Sequence, residues 1–483
     1  MASMVETEEE RAFSTPEPPV NGNADLEFAP PFISSSNFPV PINKTFQPQI
    51  QLYPVRFLVL LLFVLYSMSN AFQWIEYSII TNVIAFYYDV GSFSVNWTSV
   101  VYMVTYIPLI FPASWLLDKK GLRFVVVIGS FGTCLGSWIK CASLSPDRFA
   151  VTMFGQTITA MSQVFILGIP PRLAAVWFGE NEVSRACSVG VFGNQLGIAL
   201  GFLLPPFLVP ISDDKEKVGY DLGILFYGVA IFTTLLLLVI LFAFKDKPCH
   251  PPSVAQALSS NQEENYWHSV LRLVKNINYI ILLVTYGINV GVFYALSTLL
   301  NQMVLYHYPG EETNAGWIGL LIVLAGMIGS VVCGFILDKT HRFKETTFVT
   351  YFLSLVGMLV YTFILPAGNI WLVFLIAGFL GFFMTGYLPL GFELAAEITY
   401  PESEGTSSGL LNASAQVFGI LFTLGSSWVF ENYKDLIANG VLSGMLLIGT
   451  IMTALIKSDL RRQNASEMAS RENSSGQLIN NKF

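Results

Sequence analysis

Between residues 56 and 457, apolar positions gather into long runs separated by short polar breaks. A bilayer core takes about 20 apolar residues per helix. Twelve runs reach that length, near 56–86, 93–118, 121–143, 147–178, 184–210, 222–244, 276–307, 312–338, 345–365, 369–399, 404–432 and 434–457. Several exceed it, which predicts tilt or extension past the membrane surface. The polar stretch 245–275 divides them six and six. It carries Pro248, Pro251 and Pro252, then an amphipathic segment from Tyr266 to Lys275, and reads as a linker.

The two sets of six repeat one pattern. Asp118 and Asp338 stand 220 positions apart, each between an apolar run and a basic turn. Trp74 and Tyr294 share that spacing, and Arg172 with Glu393, and Gln195 with Gln416, are offset by 221. A duplicated membrane bundle places its working site between the copies. The predicted architecture is all-α: twelve transmembrane helices in two pseudo-symmetric six-helix bundles, 51–244 and 276–457. The tails, 1–50 and 458–483, are polar and read as disordered. The first residues lack the basic-then-apolar order of a cleaved signal peptide.

Composition excludes a soluble chain of this length. Hydrophobic residues make up 53% of 483 and charged residues 12%, about half the soluble norm. The net charge of −8 sits largely in tails and loops and says little about partners. Five cysteines show no paired spacing and read as free thiols, mostly in apolar segments. No phosphate-binding loop, nucleophile elbow or metal-ligand cluster is visible. Enzymatic activity, a cofactor, a metal and a nucleic-acid partner are therefore not expected. The bilayer is the expected surrounding, and a monomer the expected state.

Lys and Arg set the orientation. They gather at Lys119, Lys120 and Arg123; at Lys245, Lys247, Arg272 and Lys275; at Lys339, Arg342 and Lys344; and beyond Lys457. The opposite-side connections 87–96, 308–316 and 366–369 hold none. Both termini are thus expected in the cytoplasm of a multi-pass protein. Asn96-Trp97-Thr98 then falls outside and is a candidate glycosylation acceptor.

Helical spacing selects the residues that can meet. Asn70, Trp74, Tyr77, Ser78 and Thr81 form one stripe on the first helix; Tyr294, Ser297, Thr298 and Asn301 form its counterpart on the seventh. An aromatic pair facing a cavity suits an ammonium group, at about 0.5–2 kcal/mol per ring. The amides Gln163, Asn194, Gln195 and Gln416 either bridge helices or meet a hydroxyl, since an amide both donates and accepts. Arg172, Glu393 and Glu397 lie near cytoplasmic helix ends. With Asp118, Asp338, Arg185 and Glu404 they suggest an inner gate, or static anchoring of those ends. Glu76, two residues from Trp74, could attract a cation, bind a proton or point to a neighbouring helix.

Four segments carry a resemblance: Ser69-Asn70-Ala71-Phe72-Gln73-Trp74-Ile75, Val191-Phe192-Gly193-Asn194-Gln195-Leu196-Gly197, Gly386-Tyr387-Leu388-Pro389-Leu390-Gly391-Phe392-Glu393, and Tyr400-Pro401-Glu402-Ser403-Glu404-Gly405-Thr406-Ser407-Ser408-Gly409. From about 50 to 462 the chain resembles the feline leukaemia virus subgroup C receptor-related transporters of the major facilitator superfamily. That resemblance implies a plasma-membrane carrier of choline or ethanolamine, with haem export also proposed for the family. It implies that Trp74 and Tyr294 enclose an ammonium, that Gln163 and Gln416 contact the hydroxyl end, and that Met103 and Asn194 line the site. Glu76 departs from the family pattern, which carries Gln there.

The leading expectation is a uniporter for choline-like cations working by alternating access. A haem exporter is the runner-up, although His250, His268, His307 and His341 all lie away from the midplane. A proton-coupled carrier would need Glu76 or Glu397 to titrate. A receptor or scaffold that does not transport would have no use for matched cavity residues.

Overall fold

The computed structural model describes residues 51–179, 182–252, 266–340, 342–400, 402, 404–457 and 459–461. The side chains of Asp118, Asp338 and Glu404, three of the expected gate residues, lie outside the described residues, as do most of both tails. Every regular element among the described residues is helical: α1 (Val55–Ile75), α2 (Thr81–Tyr88), α3 (Ser92–Cys141), α4 (Phe149–Leu167), α5 (Ile169–Trp177), α6 (Val183–Leu208), α7 (Lys215–Ala243), α8 (Tyr266–Lys275), α9 (Ile277–His307), α10 (Glu312–Thr340), α11 (Phe343–Ile364), α12 (Ile370–Thr399) and α13 (Glu404–Leu455).

Two helices are too long for one crossing. At 1.5 Å per residue, the 50 residues of α3 and the 52 of α13 would reach about 75 Å, against a hydrocarbon core of about 30 Å. Each is two arms joined at a residue with positive φ: Gly121 at 83° in α3 and Lys434 at 71° in α13. Glycine reaches that region without a Cβ clash. With α1 and α2 forming one crossing of 34 residues, and α4 continuing into α5, the chain crosses twelve times. Short polar side chains start several crossings. Asp214 accepts from the Glu216 amide, Asn276 from those of Asn278 and Tyr279, and Asn369 from that of Trp371.

The first and seventh crossings are the interior ones. In their most apolar stretches 61% and 72% of residues are buried, against 28% for the first arm of α3. The apolar surplus of the outer helices faces outward: Phe242, Phe363 and Leu375 are exposed, as lipid contact requires. The amphipathic segment of the linker is the helix α8, held where Arg272 and Ser269 both donate to Glu402 at the end of the tenth crossing. Both described chain ends return to that same face. The Gln51 amide donates to the Pro251 carbonyl, and the Lys457 amide to Asn278 Oδ1.

Candidate functional site

Trp74 sits on the last turn of α1, buried, and Tyr294 near the middle of α9. Their ring centroids are 5.3 Å apart at 74°, an edge-to-face pair joining the first six crossings to the last six. Gln416 of α13 is buried beside them, its Nε2 3.5 Å from the Tyr294 hydroxyl. One turn on, Gly419 leaves room for two neighbours. A Cβ there would stand 2.8 Å from Met103 Sδ and 2.8 Å from Tyr294 Cδ2. The first, second, seventh and eleventh crossings therefore converge on one spot. Rings that part would present two electron-rich faces, and the amide a neutral donor and acceptor.

The other expected lining residues are deployed differently. Asn194 Nδ2 reaches Ser67 Oγ at 3.4 Å, linking the fifth crossing to the first. Gln195 Oε1 is buried without a partner, and Gln163 is half-buried on α4. Asn70 turns to its own bundle, donating to Thr133 Oγ1 (3.1 Å) and to the Thr159 carbonyl (3.0 Å). Its stripe is not continuous, because α1 ends at Ile75 and a single 3₁₀ turn, Ser78–Ile80, follows. No proline causes this break. Thr81 Oγ1 donates back to the Ser78 carbonyl there, and Tyr77 shares a hydrogen bond with Thr152.

At the end away from the chain termini, five hydrogen bonds among the described residues tie the two halves. Asn301 Nδ2 donates to the Ile79 carbonyl (2.6 Å) and Asn82 Nδ2 to Glu312 Oε1 (3.3 Å). Ser99 and Thr298 share a bond of 2.9 Å. Asn96 Nδ2 donates to Ser427 Oγ (2.8 Å) and its Oδ1 accepts from Gln302 (2.7 Å). These bonds hold the two halves together on this side. The glycan expected at Asn96 is thereby corrected: Asn96 lies inside α3, fully buried, with its amide nitrogen already bonded across the interface. Thr298 and Asn301, from the stripe on the seventh helix, belong to this seal.

At the opposite end, Arg172, Arg185 and Glu393 are exposed while Glu397 is buried. Two ion pairs there lie within one half each: Arg56 with Glu182 at 3.1 Å in the first, and Arg272 with Glu402 in the second. Hydrogen bonding from the Arg272 guanidinium holds the Glu402 carboxyl below the ordinary carboxylate range.

Glu76 answers to a residue that sequence reasoning passed over. Lys140, on the second arm of α3, places Nζ 2.5 Å from Glu76 Oε1 and 2.9 Å from Gln156 Oε1, all of them buried. Of the three expectations for Glu76, the neighbouring helix is the one realised. The available signal was Lys140 itself, a basic residue near the end of an apolar run.

The comparisons with known proteins agree with this architecture. The family model of the Major Facilitator Superfamily matches residues 59–461. The chain is 55% identical over 415 residues to the choline/ethanolamine transporter FLVCR2 of Homo sapiens, covering 85% of this chain and 79% of that one. It is 56% identical over 420 residues to the choline/ethanolamine transporter flvcr2a of Danio rerio, covering 86% and 89%. A crystal structure of a D-xylose–proton symporter superposes with a TM-score of 0.66 over 84% of this chain and 98% of that one. At 13% identity, that likeness concerns the fold alone.

Proposed function

The chain belongs to the major facilitator superfamily, among the feline leukaemia virus subgroup C receptor-related transporters, and we propose that it is a plasma-membrane uniporter of choline and ethanolamine. The observation that carries this reading is the Trp74–Tyr294 pair, one ring from each half, 5.3 Å apart in the interior. The names of the relatives, choline/ethanolamine transporters, point to a substrate with an ammonium group and a hydroxyl. Trp74 and Tyr294 would take the ammonium between their faces, with Met103 Sδ against it. Gln416 and Gln163 would meet the hydroxyl.

Alternating access supplies the cycle. With the Lys and Arg bias placing both termini in the cytoplasm, the five-bond seal closes the extracellular side. Parting that seal while the other end closes would expose the same aromatic pair outward. Arg172 and Glu393, offset by the repeat, would serve as the inner gate, with Glu397, Arg185, Asp118, Asp338 and Glu404. A cation moving inward gains about 2.3 kcal/mol per 100 mV, so no coupling ion is required. The test is uptake of radiolabelled choline and ethanolamine at matched surface expression. Saturable uptake lost in Trp74→Ala and Tyr294→Ala is expected; normal uptake in both variants would end the proposal.

A further inference from the structure

The Glu76–Lys140 cluster has no part in holding the substrate as described above, yet it stands two residues from Trp74. Residues two apart leave a helix on nearly opposite sides. Trp74 therefore faces the seventh crossing, while Glu76 faces the third and fourth. Lys140 Nζ has three protons to place. It meets Glu76 Oε1 at 2.5 Å and Gln156 Oε1 at 2.9 Å, and lies 5.5 Å from the centroid of the Tyr77 ring. Carboxylate, amide and aromatic face are the set that a free primary ammonium would seek.

The network reaches around the aromatic wall. Gln156 Nε2 donates to the carbonyls of Gln73 (2.7 Å) and Thr98 (3.2 Å), and Ser137 donates to Gln73 Oε1 (3.1 Å). It thus holds the Gln73 carbonyl just before Trp74 and the Glu76 side chain just after it, at the point where α1 gives way to the 3₁₀ turn. The gap bounded by Glu76, Ser137, Lys140, Phe226 and Val229 is too tight for water. Glu76 Oε2 is buried without a hydrogen-bond partner. The carboxylate accordingly depends on Lys140. The other titratable groups near it are Tyr77, Tyr102 and Cys141.

We propose that Lys140 is a tethered ammonium that occupies Glu76, so that selection of the substrate cation is left to the neutral aromatic pair, with the ion pair positioning Trp74. Without Lys140, the carboxylate would take up a proton or compete with the rings for the arriving cation. A cation held by a buried carboxylate would also be released slowly. The proposal rests on the carrier function above for its transport readout, but not for its stability readout.

The experiment compares Glu76→Gln, Lys140→Gln and the double variant, by thermal unfolding of the purified full chain and by choline uptake from about pH 6 to 8.5. Lys140→Gln should melt lower and gain a pH-dependent KM, changing at least about threefold across that range as the stranded carboxylate titrates. The double variant should recover both stability and a flat profile. A flat profile in Lys140→Gln, or a double variant as impaired as the worse single, would overturn the proposal. Where Lys140→Gln fails to reach the membrane, the exchange Glu76→Lys with Lys140→Glu carries the test: recovered uptake supports it, and lost uptake in a folded protein refutes it. If the unaltered chain carries no choline, the proposed function falls, and the melting cycle still decides the pairing: coupled losses support it and additive losses refute it.

Discussion

The first and seventh crossings occupy matched places in the duplication, yet each is held by different means. The first is broken beside its aromatic residue, and the break is braced by an ion pair, one amide donor and one hydroxyl donor. The seventh runs unbroken for 31 residues, and its bonds to other helices, from Tyr351 and Ser414 to its Thr285 and Leu283 carbonyls and at Thr298 and Asn301, stand a turn or more from Tyr294. Asn289, a buried amide on it, has neither polar atom bonded. Trp74 thus stands on a wall fixed by directional bonds. Tyr294 stands on a smooth helix, its hydroxyl 3.5 Å from Gln416. A duplicated fold can share a site between its halves while the polar bonds beside each ring differ in number. That division suits alternating access, in which one wall moves against another.

The widest separation between the two crossings should come from removing one buried polar group in each. Lys140→Met strands the Glu76 carboxylate and should cost about 3–5 kcal/mol. Asn289→Leu removes an amide with no bonds to lose and should be neutral, or stabilising by up to about 1 kcal/mol. Thermal unfolding of both variants in one detergent compares them directly. Equal losses would mean that the two crossings are held alike, and the comparison would fail.

The next effect concerns transport. A ring worth up to about 2 kcal/mol corresponds to a loss of up to about thirtyfold in uptake efficiency when deleted. Trp74→Ala should approach that figure. Tyr294→Phe keeps the ring and gives up only a long hydrogen bond, so it should change uptake by no more than about twofold. A Tyr294→Phe variant as inactive as Trp74→Ala would assign the work to the hydroxyl instead of the ring face.

Much of this was legible in the chain, because burial and periodicity act locally. The runs near 93–118 and 121–143 are the two arms of α3, and those near 404–432 and 434–457 the two arms of α13. The offset of 220 marked Trp74 and Tyr294 as partners, and their rings meet. What escaped was pairing at a distance. Lys140 and Glu76 are 64 residues apart, and Asn96 and Ser427 are 331 apart. A stripe of small polar residues on a helix reads the same whether it faces a cavity or a partner helix. Asn96 misled for a related reason: what reads as a short loop by sequence is the start of α3 by structure, and Asn96 is buried there.

The distal seal should respond more weakly than either wall. Each interhelical bond is worth roughly 0.6 kcal/mol, so Asn301→Ala should shift the equilibrium toward opening about threefold. The checking measurement is labelling of a cysteine placed at Thr298 by an impermeant reagent from outside, with and without Asn301→Ala. Unchanged labelling would mean that apolar packing, not these bonds, closes that end.

The smallest effect lies at the clamp between α8 and the tenth crossing. Arg272 is largely exposed, and an exposed pair contributes about 0.2–1 kcal/mol. Its sign with pH is fixed. Arg272 holds the Glu402 carboxyl below its ordinary range, so the contribution is complete above the unfolded value and disappears as pH falls through the lowered folded one. Arg272→Ala should therefore melt slightly lower than the unaltered chain at neutral pH, and the two curves should converge in acid. A gap that widened with acid would mean that Glu402 is not the partner being lost. A gap well above 1 kcal/mol would show that α8 is anchored as firmly as the Trp74 wall, and the second half would no longer be the looser of the two.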